Sequence, residues 1–339
     1  MKVFIIFIHF FLSLYAFDFP KDHNFHDDFK IEWCYFVGIL ETEEGETFGY
    51  ELSFFKGIIS EKKIYPVHFA ISDFKNKIHY TSQTLQREST GLATIKPNLI
   101  QSGEYNLEII NKSKFKLKAY PKMKNFALEL DLESPETEIL LHGENGYSKK
   151  SRKYPNIFSY YYSIPKLKTK GFLQLNTKKY KIQNSYSWMD HEWSSEKNIE
   201  QKFDLSSQEI QWDWISIHFE DGSILMCFNF RKNKNENSET FGTFRDKKGK
   251  VTYFERENEI LFTPILQEWK SSETKKKYNL NWEIKFLDKT ILIEPYINNQ
   301  EFIALQSTGN IYWEGAIKAR LKDKINQWNG KGYLELKGN

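Results

Sequence analysis

Apolar residues recur at every second position along most of this chain, and that period restricts the fold to strands with one buried face. In "TFGYELSFFK" the residues Phe48, Tyr50, Leu52 and Phe54 share one side. "WDWISIHFEDGSILMCFNFR" reads as two strands around the turn Glu220-Asp221-Gly222-Ser223, and "FRDKKGKVTYF" as another pair turning near Lys248-Gly249. "KSKFKLKAY" sets Lys114, Lys116 and Lys118 against Phe115, Leu117 and Ala119, a strand with a wet lysine face that discourages edge pairing. No segment keeps a long helical period, and 17% of the residues are aromatic, which suits pleated, half-buried surfaces. The expected class is all-β. A formal charge of +3, from 48 basic and 45 acidic residues, gives no net basic face, so a nucleic-acid partner is not expected.

At 339 residues the chain exceeds what one core usually covers, so two domains are expected. An internal echo supports this. "IEWCYFVGILETEEGETFGYELSFFK" from Ile31 and "IQWDWISIHFEDGSILMCFNFRK" from Ile210 share Ile, a polar residue, Trp, a Gly turn and an apolar strand ending in a base. The opening "MKVFIIFIHFFLSLYA" has a charged start at Lys2, an apolar run from Val3 to Leu12 and small residues before Ala16. This reads as a cleavable signal peptide over 1–16, so export to the periplasm or beyond is expected. Cys34 and Cys227 lie inside apolar β patterns and are expected as free, buried thiols rather than a bridge.

The stretch "SYSWMDHEWSS" carries most of the chemical information. His191-Glu192 looks like the start of a zinc HExxH helix, but Ser195 stands where the second His belongs and no helix follows. No G-x-S-x-G elbow occurs; the nearest sequence is Gly146-Tyr147-Ser148-Lys149-Lys150. Along a regular strand Met189, His191 and Trp193 face one way and Trp188, Asp190 and Glu192 the other, so either choice buries an ionisable group. Asp213 likewise heads an apolar row with Ile215, Ile217 and Phe219. A carboxyl buried without a partner becomes neutral and can donate a proton. The alternative is that Asp190 and Asp213 only accept structural hydrogen bonds. Asp22, His23, His26, Asp27 and Asp28 match no standard metal spacing and read as a polar loop, whereas Glu32 lies beside Trp33 at a strand start.

Several motifs in order resemble the AttH/carotenoid 1,2-hydratase family: "FPKDHNFHDDFKIEWCYFVGIL", "FGYELSFFK", "LHGENGYSKK", "SWMDHEWSS", "YWEGAIKA" and the terminal "GKGYLELKGN". The resemblance implies two packed lipocalin-like (calycin-type) antiparallel barrel or sandwich domains, here 17–196 and 197–339, with a ligand cavity near their junction. It implies a lipophilic ligand of isoprenoid, polyene or lipid type and no cofactor or metal. The activity stays open: a cofactor-free hydro-lyase or cyclase/isomerase, a non-enzymatic carrier or envelope factor, or a secreted hydrolase. Residue by residue, the family's active segment falls on Asp190, His191 and Trp193, with Asp213 as a further acid; Cys34 stands where the family usually has Trp. Glu32, Trp33, Cys34, Tyr35, Trp188, Trp212 and Trp214 are the expected ligand-binding residues. A bulge or strand end is expected to turn Asp190, His191 and Trp193 into one cavity. A monomer or weak dimer, with an association to a membrane surface or envelope transporter, completes the expectation.

Overall fold

The structure, a computed structural model, describes residues 16–135, 138–194, 211–231, 236–265, 267–322 and 329–337. The signal-peptide reading falls on residues outside this range, apart from Ala16, and so does the division at 196/197. Among the described residues the protein is built of antiparallel strands, with one short 3-10 turn at Lys21–His23. Thirteen strands between Ile31 and Ser194 form one strongly curved sheet, and ten between Gln211 and Leu336 form a second. The hairpin turns read from sequence are present, with Gly222 at φ 88° and Gly249 at φ 87°, a conformation open to glycine.

Both sheets follow one strand order. The opening strand of the first, Ile31–Thr42, lies between its hairpin partner Thr47–Ile59 and the closing strand Lys178–Ser194. In the second, Gln211–Phe219 lies between Ile224–Arg231 and the closing strand Asn329–Leu336. The sequence echo therefore marks equivalent central strands. Side chains draw the far edges of each sheet together. Ser102 Oγ donates to the Tyr65 carbonyl at 2.7 Å and Tyr105 OH to Ser82 Oγ at 2.9 Å in the first barrel; Asn229 Nδ2 donates to the Phe262 carbonyl at 3.0 Å in the second.

Alternation sorts the side chains into three cores. Cys34, Phe36, Phe54, Phe69, Leu117 and Met189 are among those filling the first barrel. Ile215, Ile217, Cys227, Ile284 and Trp313 help fill the second. The opposite faces of the central strands are apolar as well: Tyr35, Val37, Ile39, Tyr161 and Trp188 meet Trp214, Met226, Phe228, Ala316 and Tyr333 in a core between the barrels. Strands buried on both faces are the reason that the central sequences read as nearly continuous apolar runs. Gly49 lets the barrels close up, since a Cβ there would come within 2.6 Å of the Tyr333 hydroxyl. Cys34 and Cys227 lie in separate barrel cores and are free thiols.

Candidate functional site

The strand Lys178–Ser194 divides the candidate residues between two environments. Its pairing with Ile31–Thr42 runs unshifted from Ser194 opposite Ile31 to Tyr186 opposite Ile39. The expected bulge at Asp190–Trp193 is therefore absent. Met189, His191 and Trp193 point into the first barrel, and Trp188, Asp190 and Glu192 point to the junction. Asp190 and His191 do not share a cavity, because a regular pleat sends neighbours to opposite faces.

Inside the first barrel the N-terminal segment acts as a plug. Contrary to the polar-loop reading, Asp22 and His23 are buried. Phe17, Phe19, Phe25 and Phe29 pack on the barrel core beside them. Glu32 is at the centre: Oε1 lies 2.6 Å from His26 Nδ1 and 2.8 Å from His191 Nε2, and Oε2 accepts the His26 backbone N–H at 2.8 Å. The Lys56 ammonium is 3.4 Å from Oε2. Burial opposes charge on Glu32, but the His191 and His26 bonds outweigh it and bring the carboxyl down to about 2. Burial would lower His26 as well, yet its bonds to Asp22 and Glu32 raise it. His191 is lowered by burial. Beyond it, Tyr162 OH lies 3.0 Å from His191 Nδ1 and 2.6 Å from His23 Nδ1, and His23 Nε2 bonds the Lys112 carbonyl at 3.1 Å. His26, Glu32 and His191 place three donor atoms within 4.8 Å of one another, the one set of this kind among the described residues. Their close hydrogen bonds and the Lys56 ammonium already balance the Glu32 charge. The set therefore reads as a buried polar network.

The junction holds a different chemistry. Asp190 accepts from Tyr161 OH at 2.6 Å, from Trp188 Nε1 at 2.6 Å and from Ser163 Oγ. Burial raises its pKa to about 7 against the pull of those three donors. Tyr161 OH in turn accepts from Trp214 Nε1 of the second barrel at 3.0 Å. His142 bridges Ser163 and Thr243 at 2.6 and 2.9 Å. Three further carboxyls lie between the barrels. Glu314 accepts from Tyr35 OH at 2.5 Å, Glu51 from Ser53 Oγ at 2.7 Å and Glu335 from Trp212 Nε1 at 2.8 Å. Burial raises Glu51 to about 8, Glu335 to about 7 and Glu314 well above the carboxylate range; Glu335 adds to the rise of Glu51, and both add to that of Glu314. One oxygen each of Glu51 and Glu314 has no hydrogen-bond partner among the described residues.

Asp213 does not join this group. It does share its face with Ile215 and Ile217, as alternation requires, but inside the second barrel, where Arg231 Nη1 donates to it at 2.6 Å. The expected partner of Asp190 therefore faces an arginine inside the second barrel, and the two acids share no cavity. Of the expected ligand-binding residues, Trp33, Tyr35, Trp188 and Trp214 lie in or against the junction core. Trp212 is half-buried at Glu335, and Glu32 and Cys34 lie inside the first barrel. Glu51, Tyr161, Glu314 and Glu335 were not singled out from the sequence. The available signal was that their strands carry aromatics on both faces, so the polar residues between them are covered too.

Between the barrels, beside Trp188, opens a cleft of about 570 Å³. Val37, Ile39, Tyr186, Trp188, Phe219 and Tyr333 form its apolar wall. Asp190 does not line the cleft itself but accepts the indole N–H of Trp188, which does.

Two filled barrels of one strand order, sealed by a core that encloses acids, define a calycin-type double-barrel protein. A family model described as AttH-like matches residues 12–339, and the chain belongs to that family. Among solved structures, a protein of Nitrosomonas europaea assigned as an AttH is 28% identical, with 96% of this chain and 98% of that one covered and a TM-score of 0.85. The kievitone hydratase of Nectria haematococca is 16% identical over 94% and 92%, with a TM-score of 0.72. CghA bound to Sch210972 is 9% identical over 91% and 89%, with a TM-score of 0.57. The last two share the fold. No curated protein matches the chain.

Proposed function

We propose that this protein binds a lipophilic molecule in the cleft between its barrels and that Asp190 adds a proton to a carbon–carbon double bond of that molecule. The observation that carries the reading is the buried Asp190 carboxyl, at about 7, hydrogen-bonded to the tryptophan that walls the cleft. In this range the carboxyl is present in both acid and base forms near neutral pH, as proton transfer in both directions requires. The Asp190 proton forms a C–H bond and leaves a carbocation, which the π-face of Trp188 stabilises. Water attacks to form the C–O bond, and its proton returns to Asp190. The hydratase among the fold relatives agrees with this chemistry. In this reading His191 and Trp193, on the other face, hold the barrel and its plug rather than the ligand.

A carrier reading is favoured by one observation: Asp190 is only 3% exposed and does not line the cleft. The two readings part on Asp190→Asn, assayed with the molecule recovered by lipid extraction of the native protein. As an acid catalyst, the variant binds that molecule and loses turnover about a hundredfold or more. Turnover equal to the parent's removes Asp190 from the chemistry. We further propose that the protein is exported, with cleavage after Ala16; an intact mass that retains Met1 in envelope-derived protein contradicts this.

A further inference from the structure

The outer face of the second barrel changes character along its closing strands. On Asn310–Leu321 the residues Glu314, Ala316, Lys318 and Arg320 point outward, and on Asn329–Leu336 the partners in register are Glu335, Tyr333, Lys331 and Asn329. The acid end is buried beneath the first barrel. The basic end is open and lines the cleft together with Lys166. From Glu314 to Lys318 is four residues, about 13 Å at strand rise.

Lys318 stands directly opposite Lys331 on one neighbouring strand and Glu294 on the other; like charges set directly opposite each other destabilise a sheet. Lys331 is held by Glu41 at 2.8 Å. Lys166, Lys318 and Arg320 have no carboxylate partner among the described residues; Lys318 and Lys166 instead lie over the rings of Tyr296 and Tyr186, at 4.9 and 5.7 Å. Among the described residues no ion pair joins Glu220 or Glu294, the carboxylates of the cleft, to these cations. His218, at the same end, is pressed down to about 4, first by burial and then, against its bond to the Pro165 carbonyl, by Lys166, Lys331 and Arg245.

We infer that the cleft takes an apolar chain ending in an anionic group, carboxylate or phosphate, with the anion held at the mouth by Lys166, Lys318 and Arg320 and the chain running inward over Tyr333 to Trp188. The inference rests on the cleft being the ligand site. It adds that the ligand is an amphiphilic anion rather than a neutral hydrocarbon, and that it enters tail first.

The test uses the whole protein and two matched pairs of probes: cis-parinaric acid with its methyl ester, and dodecyl phosphate with dodecanol. Each anion is expected to bind at least tenfold more tightly than its neutral counterpart, by parinarate fluorescence and by its displacement. The advantage should shrink as salt rises, because the cations are exposed. The paired change Lys318→Ala and Arg320→Ala, on solvent-facing positions, should remove most of the preference and leave ester affinity unchanged. If acid and ester bind equally, the cleft reading stands and this inference fails. If no probe binds, both fail. If the double variant keeps the preference, the basic mouth is not the seat of the anion.

Discussion

Asp190 and Asp213 look alike in sequence, each an acid among tryptophans, and the structure gives them opposite fates. Asp190 faces hydroxyls and an indole N–H, neutral donors that leave burial in control. Asp213 faces a guanidinium. Which acid finds an arginine depends on the hairpin register that brings Asn229 opposite Asp213, with Arg231 two residues further along the strand. That pairing lies sixteen or more residues away and was not legible from the local pattern. Arg231→Met should therefore destabilise the second barrel, by less than the ~3–5 kcal/mol of a fully buried pair, because Arg231 keeps part of its surface in water. Urea denaturation measures it; no change in midpoint would show that the pair contributes nothing. The thiols were legible, since Cys34 and Cys227 sit in apolar runs. Burial pushes both well above the free thiol range. Neither should be alkylated in the native protein, and both should react after denaturation without reductant. A protein that stays unlabelled when unfolded would contain a disulfide.

The N-terminal plug and the strand Lys178–Ser194 show what element-level reading gained and lost. Alternation placed His191 and Trp193 on one face and Asp190 on the other; the expectation of a bulge overrode that pattern, and the regular pleat held. The plug was read as a solvated loop because Asp22, His23 and His26 are polar. Their partners are Tyr162 on a distant strand, Lys112 in a distant turn and Glu32 on the strand that follows, and no local spacing announces them. Glu32→Gln should loosen the plug. It removes the charge that His26 and Lys56 face, and a cation left unpaired in a buried site costs about 3–5 kcal/mol. The pH response follows from the raised pKa of His26. Its contribution is complete below the ordinary histidine value and is lost as pH rises through the raised one. Limited proteolysis between residues 17 and 30 should accelerate over that range, and an unchanged cleavage rate would contradict the latch.

At the scale of the molecule, the all-β class and the repeat were readable because period-two alternation and hairpin turns are local signals. The junction was not. Whether a polar residue on an outer face meets water or a second barrel depends on how two finished sheets dock, and aromatics on both faces of a strand say that Glu51, Glu314 and Glu335 are covered but not by what. Burying them has a cost that depends on pH. Glu51, Glu335 and Asp190 are raised to about 8, 7 and 7, so the folded protein binds more protons than the unfolded chain between their ordinary values near 4 and these values. Stability contributed by the junction is therefore full at acid pH and declines as pH rises towards 8, opposite to the usual behaviour of ion-paired carboxylates. Thermal melts from pH 5 to 8 should show a falling midpoint, with a shallower fall in Glu51→Gln; a flat profile in the parent would mean that these acids are not held neutral. The shared strand order has a consequence in time as well as in space. In each half the first strand made must wait beside an empty place for the last, Lys178–Ser194 or Asn329–Leu336, before its second edge is paired. The first barrel can close only once Ser194 has been made and the second only once Leu336 has, so a polypeptide that stops short of Leu336 keeps the central strand of its second half open to proteases and to other strands.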